Sequence, residues 1–155
     1  YIMNKQINET ISSTIMTTLE NLAFMFSDYG NKNDVLDHLD NGLMAQIDFY
    51  GISSGNIKII ASRSLCNLLA ANILGIEPEE IDSEKKSEDA LKETLNIICG
   101  RFLTEYYGEN EIFTISTPVC CLAAKETATG IIENDQSFAL NIEGNPFLTL
   151  VSINK

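Results

Sequence analysis

Apolar residues recur at helical spacing from Ile7 to Phe26, where Ile11, Ile15, Leu19, Leu22 and Phe26 fall on one face. Asn8 is a candidate N-cap for this helix, and Gly30 with the polar NKND stretch closes it. The pattern then changes. LMAQIDFYG (43–51) and NIKIIAS (56–62) are rich in strand formers and flank a Ser/Gly turn, which predicts a hairpin. Ser62 stands where it would cap a helix over SLCNLLAANILG, and Gly75 supplies the residue that ends one. The acidic IEPEEIDSEKKSE (76–88) has little apolar surface and reads as a linker. A long helix follows from about 86 to 107, stopped by Gly108. Three strands close the chain: EIFTISTPVCCLAA (111–124), SFALNIEG (137–144) and PFLTLVSIN (146–154), the last two a hairpin about Gly144-Asn145. Runs of strands without regular strand–helix alternation predict an α+β fold, a mostly antiparallel sheet packed with long helices, in a single domain over residues 1–155.

The long helix carries two opposed stripes. At about 100° per residue, Leu91, Leu95, Ile98 and Phe102 lie within about 60° of one another. Asp89, Glu93, Asn96 and Gly100 lie within about 60° on nearly the opposite face. The first stripe is suited to burial and the second to water or a partner. Any amphipathic surface helix has this much, so the stripe needs support from the rest of the chain.

Composition narrows the classes of function. With 10 basic and 22 acidic residues the net charge is −12, which disfavours nucleic acid and anionic membrane surfaces, both of which call for basic patches. No apolar run is long enough to span a membrane, and YIMNKQINET lacks a signal-peptide pattern, so the expected location is cytoplasmic. Cys66, Cys99, Cys120 and Cys121 form no C-x-x-C pair and read as small buried hydrophobes in a reducing compartment rather than metal ligands. DVLDHLDNG (34–42) places Asp34, Asp37 and Asp40 at helical spacing and fails the calcium-loop pattern; it reads as an acidic loop or short helix. No phosphate-cradling glycine motif occurs, and the only histidine, His38, has no nucleophile motif near it. Nothing singles out a carboxylate pair for glycoside hydrolysis.

The spacing D-x3-E-x2-N, followed after 21 residues by Pro, is present as Asp89, Glu93, Asn96 and Pro118, with Gly100 four residues after the asparagine. It resembles the signature of the CheX/CheC/FliY phosphatases of bacterial chemotaxis. IDFYGISSGNIKIIASRSLCNLLAANILG (47–75) is similar to that family's hairpin and following helix, and the terminal strand pair fits as well, so the resemblance covers roughly residues 7–154. CheC-like members repeat E-x-x-N on the first helix; here Glu20 is followed by Ala23 where the second asparagine would stand, so one site per chain resembles the CheX branch. Both the 76–88 loop and TATGIIENDQ (127–136) depart from the family pattern and put the choice of partner in doubt.

That resemblance implies a substrate: a phosphoryl group on an aspartate of a CheY-like response-regulator receiver. It also implies a homodimer whose sheet continues between subunits. The chain itself would bind no cofactor, because the receiver holds the Mg2+ and a lysine that neutralise the phosphoryl oxygens. What remains for the phosphatase is to place a water in line with the scissile bond. An amide offers both a donor and an acceptor for that task, which assigns it to Asn96. Glu93, one turn earlier, would pair with the receiver lysine and fix the docking register; an exposed carboxylate is a poor general base. By the same resemblance Asp89 sits at the rim or caps local backbone groups, and Pro118 ends a strand near the site. Gly100 either admits the partner closely or allows tight helix packing. Lys92 and Arg101 flank the stripe. A non-catalytic module that uses the same helix face to recognise receivers is the alternative.

Overall fold

The computed structural model describes residues 2–154. Among these residues are four α-helices, α1 (Ile2–Ala23), α2 (Arg63–Leu74), α3 (Glu84–Tyr107) and α4 (Lys125–Ile132). Seven strands make one sheet: β1 (Ser27–Gly30), β2 (Leu43–Tyr50), β3 (Ser54–Ala61), β4 (Thr114–Ile115), β5 (Val119–Leu122), β6 (Phe138–Ile142) and β7 (Asn145–Asn154). The order is β1-β6-β7-β3-β2-β4, with β5 also on β2, and every pairing is antiparallel. The expected α+β architecture is the observed one.

Alternation along the strands divides the core between the two faces of the sheet. In β2, Leu43, Ala45, Ile47 and Phe49 are buried while the residues between them are not. Together with Ile57 and Ile59 of β3 and Phe147 and Val151 of β7, they receive Ile11, Ile15 and Leu19 of α1, Leu65 and Leu69 of α2, and Leu91, Leu95, Ile98 and Phe102 of α3. The opposite face is covered over part of its area, where Ile60, Leu148 and Leu150 meet Val35, Ala128, Ile131 and Ile132.

Local signals set most boundaries. Ser62 caps α2, its hydroxyl accepting from the Leu65 N–H at 3.1 Å, and Gly75 ends that helix at φ 71°. The β6–β7 loop is two residues, Glu143 and Gly144, both at positive φ (50° and 83°), the geometry of a type I′ turn.

Several expectations fail. Asn8 is no N-cap: α1 begins at Ile2, and the Asn8 amide donates to the Gln136 carbonyl at 3.0 Å. That helix ends at Ala23, because Phe24 turns left-handed (φ 55°) and the chain folds back with the Met25 N–H on the Leu19 carbonyl. Met25 is buried in consequence, and Phe26 is 68 % exposed instead of joining the core. Residues 27–30 then pair with β6 as an edge strand, which the sequence reading had absorbed into the close of the helix. The 127–136 segment, which shows no helix or strand pattern in sequence, forms the greater part of α4. The 111–124 strand is broken in two. Of the cysteines, Cys66 and Cys99 are buried, but Cys120 is half-buried and Cys121 exposed.

Candidate functional site

The polar stripe lies where its periodicity puts it. Leu91, Leu95, Ile98 and Phe102 are fully buried, and Asp89, Glu93 and Asn96 are exposed on the outer face of α3. The helix is held in place at several points. Ser83 caps its start. Ser87, fully buried, donates from its hydroxyl to the Asn67 side-chain oxygen of α2. Thr94, also fully buried, satisfies its hydroxyl on the Ala90 carbonyl at 2.7 Å. Near its end Phe102 stacks on Tyr106 (5.5 Å between centroids), Tyr106 meets Tyr107 edge-on, and Tyr107 contacts Phe113 of the following loop. Phe113 in turn meets Phe49 of β2, so the aromatic chain ties the helix to the sheet and to the segment that crosses back past the stripe.

That segment forms the other wall. Ile115 pairs with Phe49, and Ser116 continues the ladder by exchanging bonds with Asp48: its N–H donates to the Asp48 carbonyl and its hydroxyl accepts from the Asp48 N–H, each at 2.9 Å. Pairing resumes with Val119 opposite Gln46. Thr117 and Pro118 therefore stand against the single residue Ile47, which is a β-bulge. A proline, with no N–H to give the ladder, suits that position. The bulge brings Ser116, Thr117 and Pro118 across from α3.

Between the two walls is an open cleft of about 500 Å³, lined by Asp89, Lys92, Glu93 and Asn96 from the helix and by Ile115, Ser116, Thr117 and Pro118 from the strand side. Four of the five sequence-selected residues thus share one cavity. Gly100 lies outside it, one turn further along. A Cβ built on Gly100 meets no atom within 4 Å, so packing inside this chain does not require glycine there. Asp89 pairs with Lys92 at 3.5 Å on the surface. Among the described residues, no ion pair engages Glu93 and no side-chain hydrogen bond engages Asn96, and both face solvent. The residues missed by the sequence reading are Ser116 and Thr117; their signal is the adjacent polar Ser-Thr pair in a run from Ile112 to Leu122 whose only other polar side chain is Thr114.

Thiol chemistry does not compete for the site. Burial, with smaller contributions from neighbouring Glu88 and Cys121, pushes the Cys120 thiol up to about 11 despite Lys92 and Arg63 nearby. Burial likewise carries Cys66 and Cys99 up to about 12. At neutral pH these three stay protonated and poorly nucleophilic. Among the described residues, no group of three or more His, Cys, Asp or Glu side chains is placed to hold a metal ion, and no helix is long and apolar enough to cross a membrane. On α1, Glu20 is exposed, but Ala23 is fully buried and its carbonyl accepts from the Asn72 amide at 2.9 Å, so that helix does not repeat the exposed pair.

Residues 43–142 match the family model described as chemotaxis phosphatase CheX. No curated protein sequence matches the chain. Among solved structures, the chemotaxis protein CheX from Vibrio vulnificus superposes with a TM-score of 0.73 at 13 % identity, covering 96 % of each chain. CheX from Desulfovibrio desulfuricans gives 0.70 at 14 % identity, covering 96 % of this chain and 99 % of the other. A third match is the CheX-CheY-BeF3-Mg2+ complex from Borrelia burgdorferi, at 0.68 and 18 % identity, covering 95 % of this chain and 97 % of that one.

Proposed function

The chain belongs to the chemotaxis phosphatase CheX family, and from that premise we propose that it hydrolyses the aspartyl-phosphate of a CheY-like response-regulator receiver through Asn96 and Glu93. The observation that carries this reading is the shared cleft: Glu93 and Asn96, exposed and one turn apart, face the Thr117–Pro118 bulge across an open cavity on the surface of a rigidly held helix.

An open cleft fits a macromolecular substrate that brings its own reacting centre. Asn96 enters the receiver pocket, its side-chain carbonyl accepting a hydrogen bond from the attacking water, whose protons leave with the phosphate, and its NH2 group held by the receiver's phosphoryl or backbone oxygens. Water oxygen bonds to phosphorus as the bond to the aspartyl oxygen breaks, and the products are inorganic phosphate and a free carboxylate. The Mg2+ belongs to the receiver, where it offsets the charge on the phosphoryl oxygens. Glu93 supplies a fixed negative charge one turn away to pair with a receiver cation and set the register of docking. Asp89, partly neutralised by Lys92, sits at the rim. Pro118 serves by maintaining the bulge, and the absence of a Cβ at Gly100 leaves room for the partner's surface.

The test is phosphate release from a phosphodonor-charged receiver in Mg2+, with and without the protein. Acceleration in proportion to added protein is expected. Receiver binding without acceleration would instead support a docking module.

A homodimer is part of the same proposal, formed at the β5 edge. Val119 and Leu122 of that strand are 64 % and 63 % exposed, and an uncharged apolar edge favours pairing with another strand. Leu122→Lys is expected to convert a particle of twice the chain mass to a monomer in sedimentation analysis; an unchanged mass would exclude this edge.

A further inference from the structure

The carboxylates of the α3 stripe line two cavities. On the side away from the bulge, Asp89 and Glu93 border a second groove of about 290 Å³ between α2 and α3, whose floor and far wall are Ala70, Ile73, Leu74 and Ala90. Leu74, at the end of α2, is 53 % exposed, and Ile73 beside it is half-buried. The stripe is therefore a ridge, with a polar cleft on one flank and an apolar groove on the other. We propose that this groove receives an apolar side chain of the phosphorylated receiver that lies next to a basic one, and that it fixes the tilt with which Asn96 enters the active pocket. The inference rests on the phosphatase reading above.

Charge selects this occupant. Lys86 borders the groove but is held by Asp82 at 2.7 Å, and Asp89 is held by Lys92 on the opposite flank. Among the described residues, Glu93 is left as the charge on the rim that no ion pair engages. The surface that fits is thus an apolar group flanked by a cation, and the same cation serves the Glu93 pairing. Affinity also needs a source other than long-range attraction. The chain carries −12, and a phosphorylated acidic pocket is itself negative, so net Coulomb forces oppose the encounter and apolar burial must contribute. Continuity with the cleft supplies the geometry. One rigid helix separates the two cavities, so an anchor in the groove determines the angle at which the amide crosses the ridge.

Leu74→Asp tests this, since an exposed position tolerates the change without loss of fold; an unchanged melting temperature verifies that. With phosphorylated receiver as substrate, KM should rise about tenfold or more, kcat should fall about threefold or more because the tilt of Asn96 is no longer fixed, and affinity for beryllofluoride-activated receiver should fall in parallel with the rise in KM. Leu74→Met should restore all three. If Leu74→Asp leaves KM and affinity within about twofold of wild type, the groove is not used and the phosphatase reading stands without it. If the variant loses self-association rather than receiver affinity, the occupant is a second copy of this chain and the proposal fails. A wild-type protein that neither binds nor dephosphorylates receivers overturns both readings together.

Discussion

Asn96→Ala is expected to lower phosphate release from a charged receiver on the order of 10²-fold while leaving receiver affinity within about twofold. The asymmetry follows from the site. Asn96 is exposed, and no hydrogen bond within the chain involves its side chain among the described residues, so its removal costs the fold nothing measurable. Its assigned work is done only on the water in the transition state, and an interaction made only there appears in kcat. Glu93→Ala in the same assay should behave differently, raising KM because it removes a docking contact made in the ground state as well. Full activity of Asn96→Ala would remove the proposed mechanism, and an equal loss of binding would reassign the residue to docking.

The second large effect is on stability. Phe102→Ala should destabilise the protein by about 3–5 kcal/mol, a large part of the roughly 5–15 kcal/mol typical of a domain. Phe102 is fully buried among α1, α3 and the sheet, and its ring stacks on Tyr106 at 5.5 Å. Deleting the ring leaves a cavity in the middle of the face on which α3 rests. At about 2–4 °C per kcal/mol for a chain of this size, the melting temperature should fall by roughly 6–20 °C. A drop of less than about 2 °C would mean that the neighbours collapse into the space and that the aromatic chain is not what holds the helix.

Both predictions fall on a helix that was readable before any coordinates. The stripes of α3 follow from a period of 3.6 residues, and the caps at Ser62 and Gly75 are local chemistry that short stretches determine, as is the final hairpin, although its turn is Glu143-Gly144, one residue earlier than the expected Gly144-Asn145. What could not be read depends on distant partners. SDYG has no alternation and becomes β1 because β6 offers it an edge. KETATGII contains Gly130 and β-branched residues that disfavour a helix, and it forms α4 because Ala128, Ile131 and Ile132 find a cover over Val35 and Leu148. Phe26 fits the period of α1, yet the chain leaves the helix two residues earlier in order to bury Met25. The same division runs through the site. Glu93 and Asn96 were legible from one helix, whereas the opposite wall arises only when 114–122 pairs with β2, and Ser116 and Thr117 were passed over.

The bulge at Thr117–Pro118 also takes up one residue more than the ladder needs. Side chains alternate across a sheet, and by absorbing the surplus residue the bulge keeps the following positions on the same faces as their partners in β2. It turns Cys120 toward the helices, opposite Ala45, and leaves Val119 and Cys121 on the other face. Deleting one of the two bulge residues would leave Ser116 opposite Asp48 and Val119 opposite Gln46, so Val119, Cys120 and Cys121 would keep their faces while the ladder closed and this wall of the cleft flattened. The protein can therefore vary in length between Ile76 and Asp82, ahead of the Ser83 cap and outside the ladder, whereas between Ser116 and Val119 one residue more or fewer reshapes the wall of the cleft without turning the strand over.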